Sequence, residues 1–256
     1  MPGETVIDTD DQLPDRHLDW PQCYNARDLG GLPARAGRTT RWQAMIRADT
    51  LGRLTAAGQQ ALLDYGVRTV IDLRTPQEAA KEPSLALQDA GHPLDYLNLP
   101  LEKYHPHVGA LIRQATSRGE VYCIILDHYP DAVADIMRAV IQARPGGVVI
   151  HCHAGKDRTG IVVALLLSLV GVPHTMISAD YAESQVRLWP IYARFLAETK
   201  DPEALDFWSR PTATVEMMDM MLAHVATQHG GAEQYLLAAG LAPEEIAQVT
   251  RRLLAP

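Results

Sequence analysis

The chain has 256 residues, of which 47% are apolar, enough to bury one large core, so we expect a single domain. Its formal net charge of -8 at pH 7 argues against general nucleic-acid binding, because that affinity rests on basic groups that neutralise backbone phosphates. We expect no nucleic-acid partner, and any site for an anion must be local.

The N-terminal residues 1–19 are acidic and lack a continuous apolar stretch, so they do not act as a secretory signal and indicate a flexible lead-in to a domain at 20–256. The longest apolar run, residues 161–170, is interrupted by Ser168 and is too short to cross a bilayer. The three cysteines show no disulfide or metal-ligand spacing. These features favour a reducing, cytoplasmic setting without a transmembrane segment. The oligomeric state is left open.

Strand-like and helix-like segments then alternate along the chain. Residues 67–71 are rich in β-branched side chains and predict a buried strand that ends at Asp72. Residues 95–101 and 148–151 predict further strands, and the chain beyond residue 158 is almost entirely helical in pattern. This order predicts an α/β fold with a central, largely parallel but mixed sheet flanked by helices and a helical C-terminal part.

Between the last two predicted strands, residues 102–144 read as a loop followed by a helix, most periodic at 132–141. This segment is a candidate lid over the site, and the sequence leaves open whether it moves.

The most informative segment is residues 148–160, Val-Val-Ile-His-Cys-His-Ala-Gly-Lys-Asp-Arg-Thr-Gly. An apolar strand runs into a polar loop and then into an apolar helix. Such a loop presents backbone N–H groups, and the helix N-terminus adds partial positive charge, so a tetrahedral dianion can be held without a metal. The residues expected to hold the phosphate are His153, Ala154, Gly155, Lys156 and Thr159.

Five residues separate Cys152 from Arg158, a spacing that lets the loop curl until the thiol and the guanidinium face one phosphate. Arginine suits this position because its planar fork makes bidentate contacts and stays charged. Helix N-termini and nearby cations lower a cysteine pKa from about 8.5 to roughly 3.5–7.5. A cysteine after a strand is often only a small core residue. Cys152 is instead followed by a polar, glycine-containing loop, which favours a nucleophile.

Two other interpretations of this segment fail. The His151-Cys152-His153 triplet suggests a metal, but consecutive strand residues point to opposite faces and do not converge on one ion. His151 is therefore interpreted as a residue that orients the loop. The nucleotide-binding loop Gly-x4-Gly-Lys-Ser/Thr lacks its first glycine and its hydroxyl here. We expect no metal and no cofactor.

The pattern His-Cys-x5-Arg-Thr-Gly resembles the signature of the protein-tyrosine phosphatase superfamily, and His-Cys-x-Ala-Gly-Lys-Asp-Arg-Thr-Gly resembles its bacterial tyrosine and lipid phosphatase branch. Segments that resemble other landmarks of this branch lie at residues 25–31, 47–51, 71–75, 180–184 and 235–241. The resemblance implies a phosphatase domain with that superfamily's fold. It also implies a two-step reaction in which Cys152 takes the phosphoryl group and water then hydrolyses the thiophosphate.

The sequence offers three candidates for the general acid, because the Trp-Pro-Asp loop of better-known family members is missing. Asp157, inside the phosphate loop, is the candidate implied by the Lys-Asp-Arg pattern. Asp72 is a second candidate, since sites in α/β folds collect at strand ends. Asp131 follows Pro130, and a position in the first turn of a helix explains it better than a role as the general acid. Lys156 adds a charge that accompanies phosphoinositide activity in similar proteins, although a solvated lysine is the simpler interpretation.

The sequence therefore predicts a cysteine-dependent hydrolase of phosphomonoesters whose partner is a phosphorylated substrate, first of all phosphotyrosine in proteins. A phosphoinositide or a small metabolite such as a nucleoside or sugar phosphate is the alternative. A second alternative is a module that binds phosphate without turnover, which the presence of nucleophile, clamp and adjacent hydroxyl argues against.

Overall fold

The computed structural model describes residues 15–84, 94–103, 105–205 and 210–255. Within them five strands form one sheet: Arg27–Asp28 (β1), Met45–Ala48 (β2), Val67–Asp72 (β3), Asp95–Asn98 (β4) and Gly147–His151 (β5). Their order across the sheet is β1-β2-β5-β3-β4. The pairs β2–β5, β5–β3 and β3–β4 are parallel, and β1 pairs antiparallel with β2. The predicted mixed, largely parallel α/β sheet is confirmed.

Helices surround this sheet and make up nearly all of the C-terminal part, as expected. In chain order they are Ala56–Asp64 (α1), Pro76–Lys81 (α2), Pro106–Gln114 (α3), Arg118–His128 (α4), Pro130–Gln142 (α5), Asp157–Leu169 (α6), His174–Arg187 (α7), Trp189–Glu198 (α8), Val215–His229 (α9), Ala232–Ala238 (α10) and Pro243–Leu253 (α11). None of the helices in the described parts of the chain is both long and apolar enough to cross a membrane.

The centre of the sheet explains where the site lies. Strand β5 is buried along its whole length between β2 and β3, which is why its residues 148–150 are an unbroken apolar run instead of an alternating pattern. Helix α6 follows it and is apolar around most of its circumference, as expected for a helix buried in a core. The loop between β5 and α6 therefore emerges at the carboxyl edge of the sheet, near its middle. Ligand sites of open α/β folds collect at this edge.

The candidate lid at 102–144 is largely part of the core, which corrects the expectation for the segment as a whole. Helix α5 buries Val133, Ile136, Met137 and Val140 together with three alanines. Burying one such large side chain contributes about 1.5–3 kcal/mol, so lifting this helix away is strongly unfavourable. The amphipathic pattern of 132–141 reflects packing against the core.

The predicted boundary of the lead-in is also too late. Residues 1–14 lie outside the described residues, but Arg16 is 3% exposed and belongs to the folded domain. Its guanidinium donates to the carbonyl of Asp28 at 3.0 Å and to the carboxylate of Asp180 at 2.7 Å. A buried charge that pairs with α7 holds this part of the chain in place. The acidic composition of the segment concealed this contact.

The predicted strand at 95–101 ends three residues early, at Asn98. Pro100 lacks an N–H group and cannot continue a ladder. The side chain of Asn98 instead donates to the carbonyls of Asp72 and Arg74 at 3.1 and 2.8 Å, which ties the edge strand to the end of β3.

Candidate active site

The loop that joins β5 to α6 is forced into a tight curl at Gly155. This residue has a φ of +62°, a left-handed conformation that favours glycine. A Cβ atom here would overlap the backbone carbonyl of Ala48 at the end of β2. Glycine therefore serves both the turn and the close approach of the loop to the neighbouring strand.

The outward carbonyls of this loop are held by side chains from other elements. The Nδ2 of Asn25 donates to the carbonyls of Ala154 and Gly155 at 3.0 and 3.1 Å. The Nη2 of Arg47 donates to the Gly155 carbonyl at 2.8 Å. Among the described residues, the backbone N–H groups of 153–158 donate no hydrogen bond. They remain free to bind an anion, and the positive end of α6 begins at the same place.

Cys152 lies at the floor of a cavity of about 450 Å³ above this loop. The residue is only 3% exposed overall, yet it belongs to the cavity wall, so the thiol meets solvent through the cavity alone. The loop lines the floor with His153, Ala154, Lys156, Asp157 and Arg158. The cavity is also lined by apolar and aromatic side chains, those of Leu188, Ile191, Tyr192, Phe195 and Pro211, and by three further cations, Arg53, Arg118 and Arg210. A cavity of this size is typical of sites for small molecules and side chains.

The guanidinium of Arg158 is oriented by Glu78, which the sequence did not single out. Two hydrogen bonds of 2.7 and 2.9 Å join the arginine fork to both carboxylate oxygens. Glu78 is fixed in turn by a capping box with Thr75 at the start of α2. Arg158 lowers the pKa of Glu78 to about 2, and although burial acts against it, Glu78 and Cys152 raise the pKa of Arg158. The arginine is thus a fixed cation that lines the same cavity as the thiol.

Asp157 lines the cavity as an ionised carboxylate. Its Oδ1 accepts from the ammonium of Lys156 at 2.7 Å and from the hydroxyl of Tyr122, and Arg118 lies 3.6 Å away. Burial raises its pKa, but Lys156 and Arg118 outweigh burial and lower the pKa to about 2. Lys156 is itself 3% exposed, so the interpretation as a solvated lysine is wrong. Burial lowers the pKa of Lys156, against the stabilising effect of Asp157.

The other two acid candidates lie away from the cavity. Asp72 is fully buried and bound by Arg74 through two nitrogens at 2.9 and 2.6 Å and by the hydroxyl of Tyr96 at 2.7 Å. Burial raises its pKa, but these partners and His151 lower it overall, so it carries no proton to donate. Asp131 lies in the first turn of α5 and is not among the residues that line the cavity. Of the three candidates, only Asp157 faces the thiol cavity.

His151 and Thr159 are buried at the two ends of the loop. The Nδ1 of His151 lies 2.9 Å from the carbonyl of Cys152, and Nε2 lies 3.6 Å from Asp72. Burial lowers the pKa of His151, which keeps the ring neutral. The hydroxyl of Thr159 is buried and has no hydrogen-bond partner within the described chain. Its predicted bond to the departing sulfur stays a prediction.

A buried ion cluster connects three of the landmark segments. Asp180 accepts hydrogen bonds from Arg16 at 2.7 Å, Arg27 at 3.1 Å and Arg47 at 2.6 Å. Arg27 also donates to the side-chain oxygen of Asn25 at 2.6 Å. Because Asn25 and Arg47 hold the loop carbonyls, this cluster fixes the shape of the anion cradle. Sequence reasoning noted the segments without finding that they meet.

Asp49 is a further cavity residue that the sequence analysis missed. It follows β2 at the same sheet edge as Cys152, so the strand-end argument applied to Asp72 could have found it. Its Oδ1 accepts from the thiol of Cys23 and from the amide of Asn25, both at 2.9 Å. Burial raises the pKa of Asp49, against the effect of these donors. The carboxylate therefore links Cys23 to the wall of the site.

The sequence model of the tyrosine phosphatase family matches residues 18–255. A tyrosine-protein phosphatase of Nostoc commune is 33% identical over 217 residues, covering 82% of this chain and 74% of the relative. The triple specificity protein phosphatase PtpB of Mycobacterium tuberculosis is 29% identical over 204 residues, covering 68% of this chain and 71% of the relative. The solved structure of P. aeruginosa TpbA in complex with pTyr matches 54% of this chain and 66% of that chain, at 21% identity and a TM-score of 0.35.

Proposed function

The chain belongs to the tyrosine phosphatase family and is a cysteine-dependent phosphoric monoester hydrolase, and we propose that it hydrolyses phosphotyrosine in proteins with Cys152 as its nucleophile. The observation that carries this proposal is the position of Cys152 at the floor of a cavity, beneath free backbone amides and beside the fixed cation of Arg158. Neither Cys23 nor Cys123, the other free cysteines of the described chain, is among the residues that line this cavity.

In the first step, the phosphate of the substrate occupies the cradle formed by the amides of 153–158. The thiolate of Cys152 attacks phosphorus, the S–P bond forms, and the bond to the leaving oxygen breaks. Arg158 and the amides stabilise the equatorial oxygens, since positioning and charge stabilisation dominate phosphoryl transfer. Glu78 holds the guanidinium in place before the substrate arrives.

Asp157 supplies the proton to the leaving oxygen. Because its pKa lies at about 2, it is ionised in the free enzyme at neutral pH. The second pKa of a phosphate is about 6, so a substrate monoanion brings one proton into the site. The negative charge of the bound phosphate raises the pKa of Asp157, and the proton moves from the phosphate to the carboxylate and then to the leaving oxygen.

In the second step, water attacks phosphorus, Asp157 accepts its proton, and the sulfur of Cys152 leaves as a thiolate. Splitting one displacement into two is the usual gain of covalent catalysis. Thr159 donates its otherwise unused hydroxyl hydrogen to the departing sulfur. Reaction in a reducing compartment such as the cytoplasm, where the thiol stays usable, is part of the proposal.

The walls of the cavity support an aromatic phosphate ester. Tyr192, Phe195 and Ile191 present apolar surface opposite the loop, which suits the ring of a phosphotyrosine side chain. The arginines at 53, 118 and 210 also line the cavity and favour substrates with additional negative charge. A phosphoinositide is therefore the second candidate, because its head group carries several phosphates.

The test compares turnover of a phosphotyrosine peptide, a phosphoinositide and a nucleoside monophosphate with a metal chelator present. We expect the peptide to give the highest kcat/KM, and Cys152→Ser to abolish turnover of all substrates while binding is retained. Cys123→Ser is the matched control and should keep full activity, because burial and then Asp127 raise the pKa of Cys123 to about 11. Substantial activity in Cys152→Ser, or complete loss of activity on chelation, would contradict the mechanism. A higher kcat/KM for the phosphoinositide would contradict the substrate only.

A further inference from the structure

A cluster of potential metal ligands lies outside the residues that line the thiol cavity. The Oδ1 of Asp127, in α4, lies 2.8 Å from the Nε2 of His224 and 3.1 Å from the Nε2 of His229, both in α9. All three donor atoms lie within 4.8 Å of one another. We propose that Asp127, His224 and His229 bind a divalent transition-metal ion of the Zn²⁺ class.

The distances suit such an ion. Zn²⁺ binds nitrogen and oxygen ligands at about 2.0–2.2 Å in a tetrahedral arrangement, which places the donor atoms roughly 3.3–3.5 Å apart. Small rotations of the three side chains reach that spacing from the observed one. Two imidazoles and one carboxylate select Zn²⁺, Co²⁺ or Ni²⁺ over Mg²⁺ and Ca²⁺, which prefer oxygen ligands. The three side chains are 20–39% exposed, so an ion can enter from solvent and keep a water as its fourth ligand.

Tyr235 packs beside the cluster on its protein side. The ring of Tyr235 packs edge-on against His229, with centroids 5.0 Å apart and planes at 83°. The hydroxyl of the same tyrosine donates to the carbonyl of Leu126 at 2.9 Å, directly before Asp127. One side chain thus packs against the ring of one ligand and hydrogen-bonds the backbone next to another. In the absence of an ion, hydrogen bonds from the two imidazoles to one carboxylate oxygen hold the cluster together. A direct measurement of metal binding distinguishes this arrangement from a metal site.

The ion would join α4 to α9, two helices in close contact. Helix α4 also carries Arg118 and Tyr122, which contact Asp157 of the phosphate loop. Metal binding therefore stabilises the support of the loop from a distance and takes no part in bond cleavage. The expectation of a reaction without metal concerns the site of Cys152 and is independent of this one. The ligands are 97 and 102 residues apart in sequence, so no spacing motif revealed them.

The test measures Zn²⁺ binding by calorimetry on the untagged, full-length Cys152→Ser protein, in which the reactive thiol cannot compete for the ion. We expect one equivalent to bind, and His224→Gln or His229→Gln added to this protein to weaken binding at least about tenfold. His128→Gln is the matched control, because His128 is the neighbour of Asp127 but lies outside the cluster. It should bind as tightly as the parent.

Thermal unfolding with and without Zn²⁺ provides the second measurement. The ion should raise the Tm of the parent and of His128→Gln but not that of His224→Gln or His229→Gln. Two variants are used so that misfolding of one leaves the other informative. Failure of the parent to bind Zn²⁺ would overturn the proposal. Equal binding and equal Tm shifts in His229→Gln and His128→Gln would also overturn it.

Discussion

Asp180→Asn tests whether the buried ion cluster supports the fold and the phosphate loop. The carboxylate is 1% exposed and accepts hydrogen bonds from Arg16, Arg27 and Arg47. Burial raises the pKa of Asp180, but the three arginines lower it far below its ordinary value. Asparagine keeps the shape of the side chain, removes the charge and replaces one acceptor oxygen by an NH2 donor. Three buried guanidiniums then face a neutral amide.

Breaking a buried ion pair by removing one partner costs about 3–5 kcal/mol, because an uncompensated charge stays buried. We expect the free energy of unfolding to fall by this amount. In a chain of this size, 1 kcal/mol corresponds to about 2–4 °C, so the Tm should fall by about 6–20 °C. Because the folded pKa of Asp180 is lowered, its contribution is complete above the unfolded pKa of about 3.9 and is lost on acidification. The difference in free energy of unfolding between the parent protein and Asp180→Asn should be constant above about pH 5 and shrink below about pH 4.

The assay is urea unfolding followed by circular dichroism at several pH values. Glu183→Gln is the matched control, since Glu183 lies 3.7 Å from Arg16 and 3.8 Å from Arg27 but is partly exposed. We expect Glu183→Gln to lower the free energy of unfolding by less than about 1 kcal/mol. Equal losses in Asp180→Asn and Glu183→Gln, or a difference that does not change on acidification, would refute the reasoning.

Two other substitutions test the site itself. Asp157→Asn should slow esters with poor leaving groups by about 10²–10⁴-fold and p-nitrophenyl phosphate by less than about tenfold, because only poor leaving groups need the proton; equal slowing of both in steady-state kinetics would point to a structural role. Gly155→Ala should abolish turnover and destabilise the fold by more than Gly37→Ala, since both have positive φ but only Gly155 lies against the backbone of Ala48. Equal unfolding free energies of the two alanine variants would contradict the close approach.

The parts of the fold that depend on local pattern could be predicted from the sequence. Strand β3 is rich in β-branched residues, strand β5 carries three consecutive apolar residues, and helix α6 is apolar for most of its length, patterns that burial in the core of an α/β fold favours. The pairing of Cys152 with Arg158 follows from the length of one loop. These predictions needed no knowledge of distant contacts.

The contacts that complete the site depend on tertiary structure. Glu78 is 80 residues from Arg158 in sequence, and its capping box predicts only a helix start. Lys156 and Asp157 are neighbours in the predicted phosphate loop, but the contacts of Asp157 with Tyr122 and Arg118 of α4 join segments that are distant in sequence. An amphipathic pattern reports one buried face of a helix without saying what it packs on, and so residues 102–144 resembled a lid.

The most direct test of the account is alkylation of the free protein with iodoacetate at pH 6, read by peptide mass spectrometry. Burial raises the pKa of Cys23 well above its ordinary value and that of Cys123 to about 11, so neither is a thiolate at this pH. We predict modification of Cys152 alone, blocked by vanadate. Failure of Cys152 to react faster than the other two cysteines, or reaction undiminished by vanadate, would contradict a nucleophilic thiol in an anion cradle.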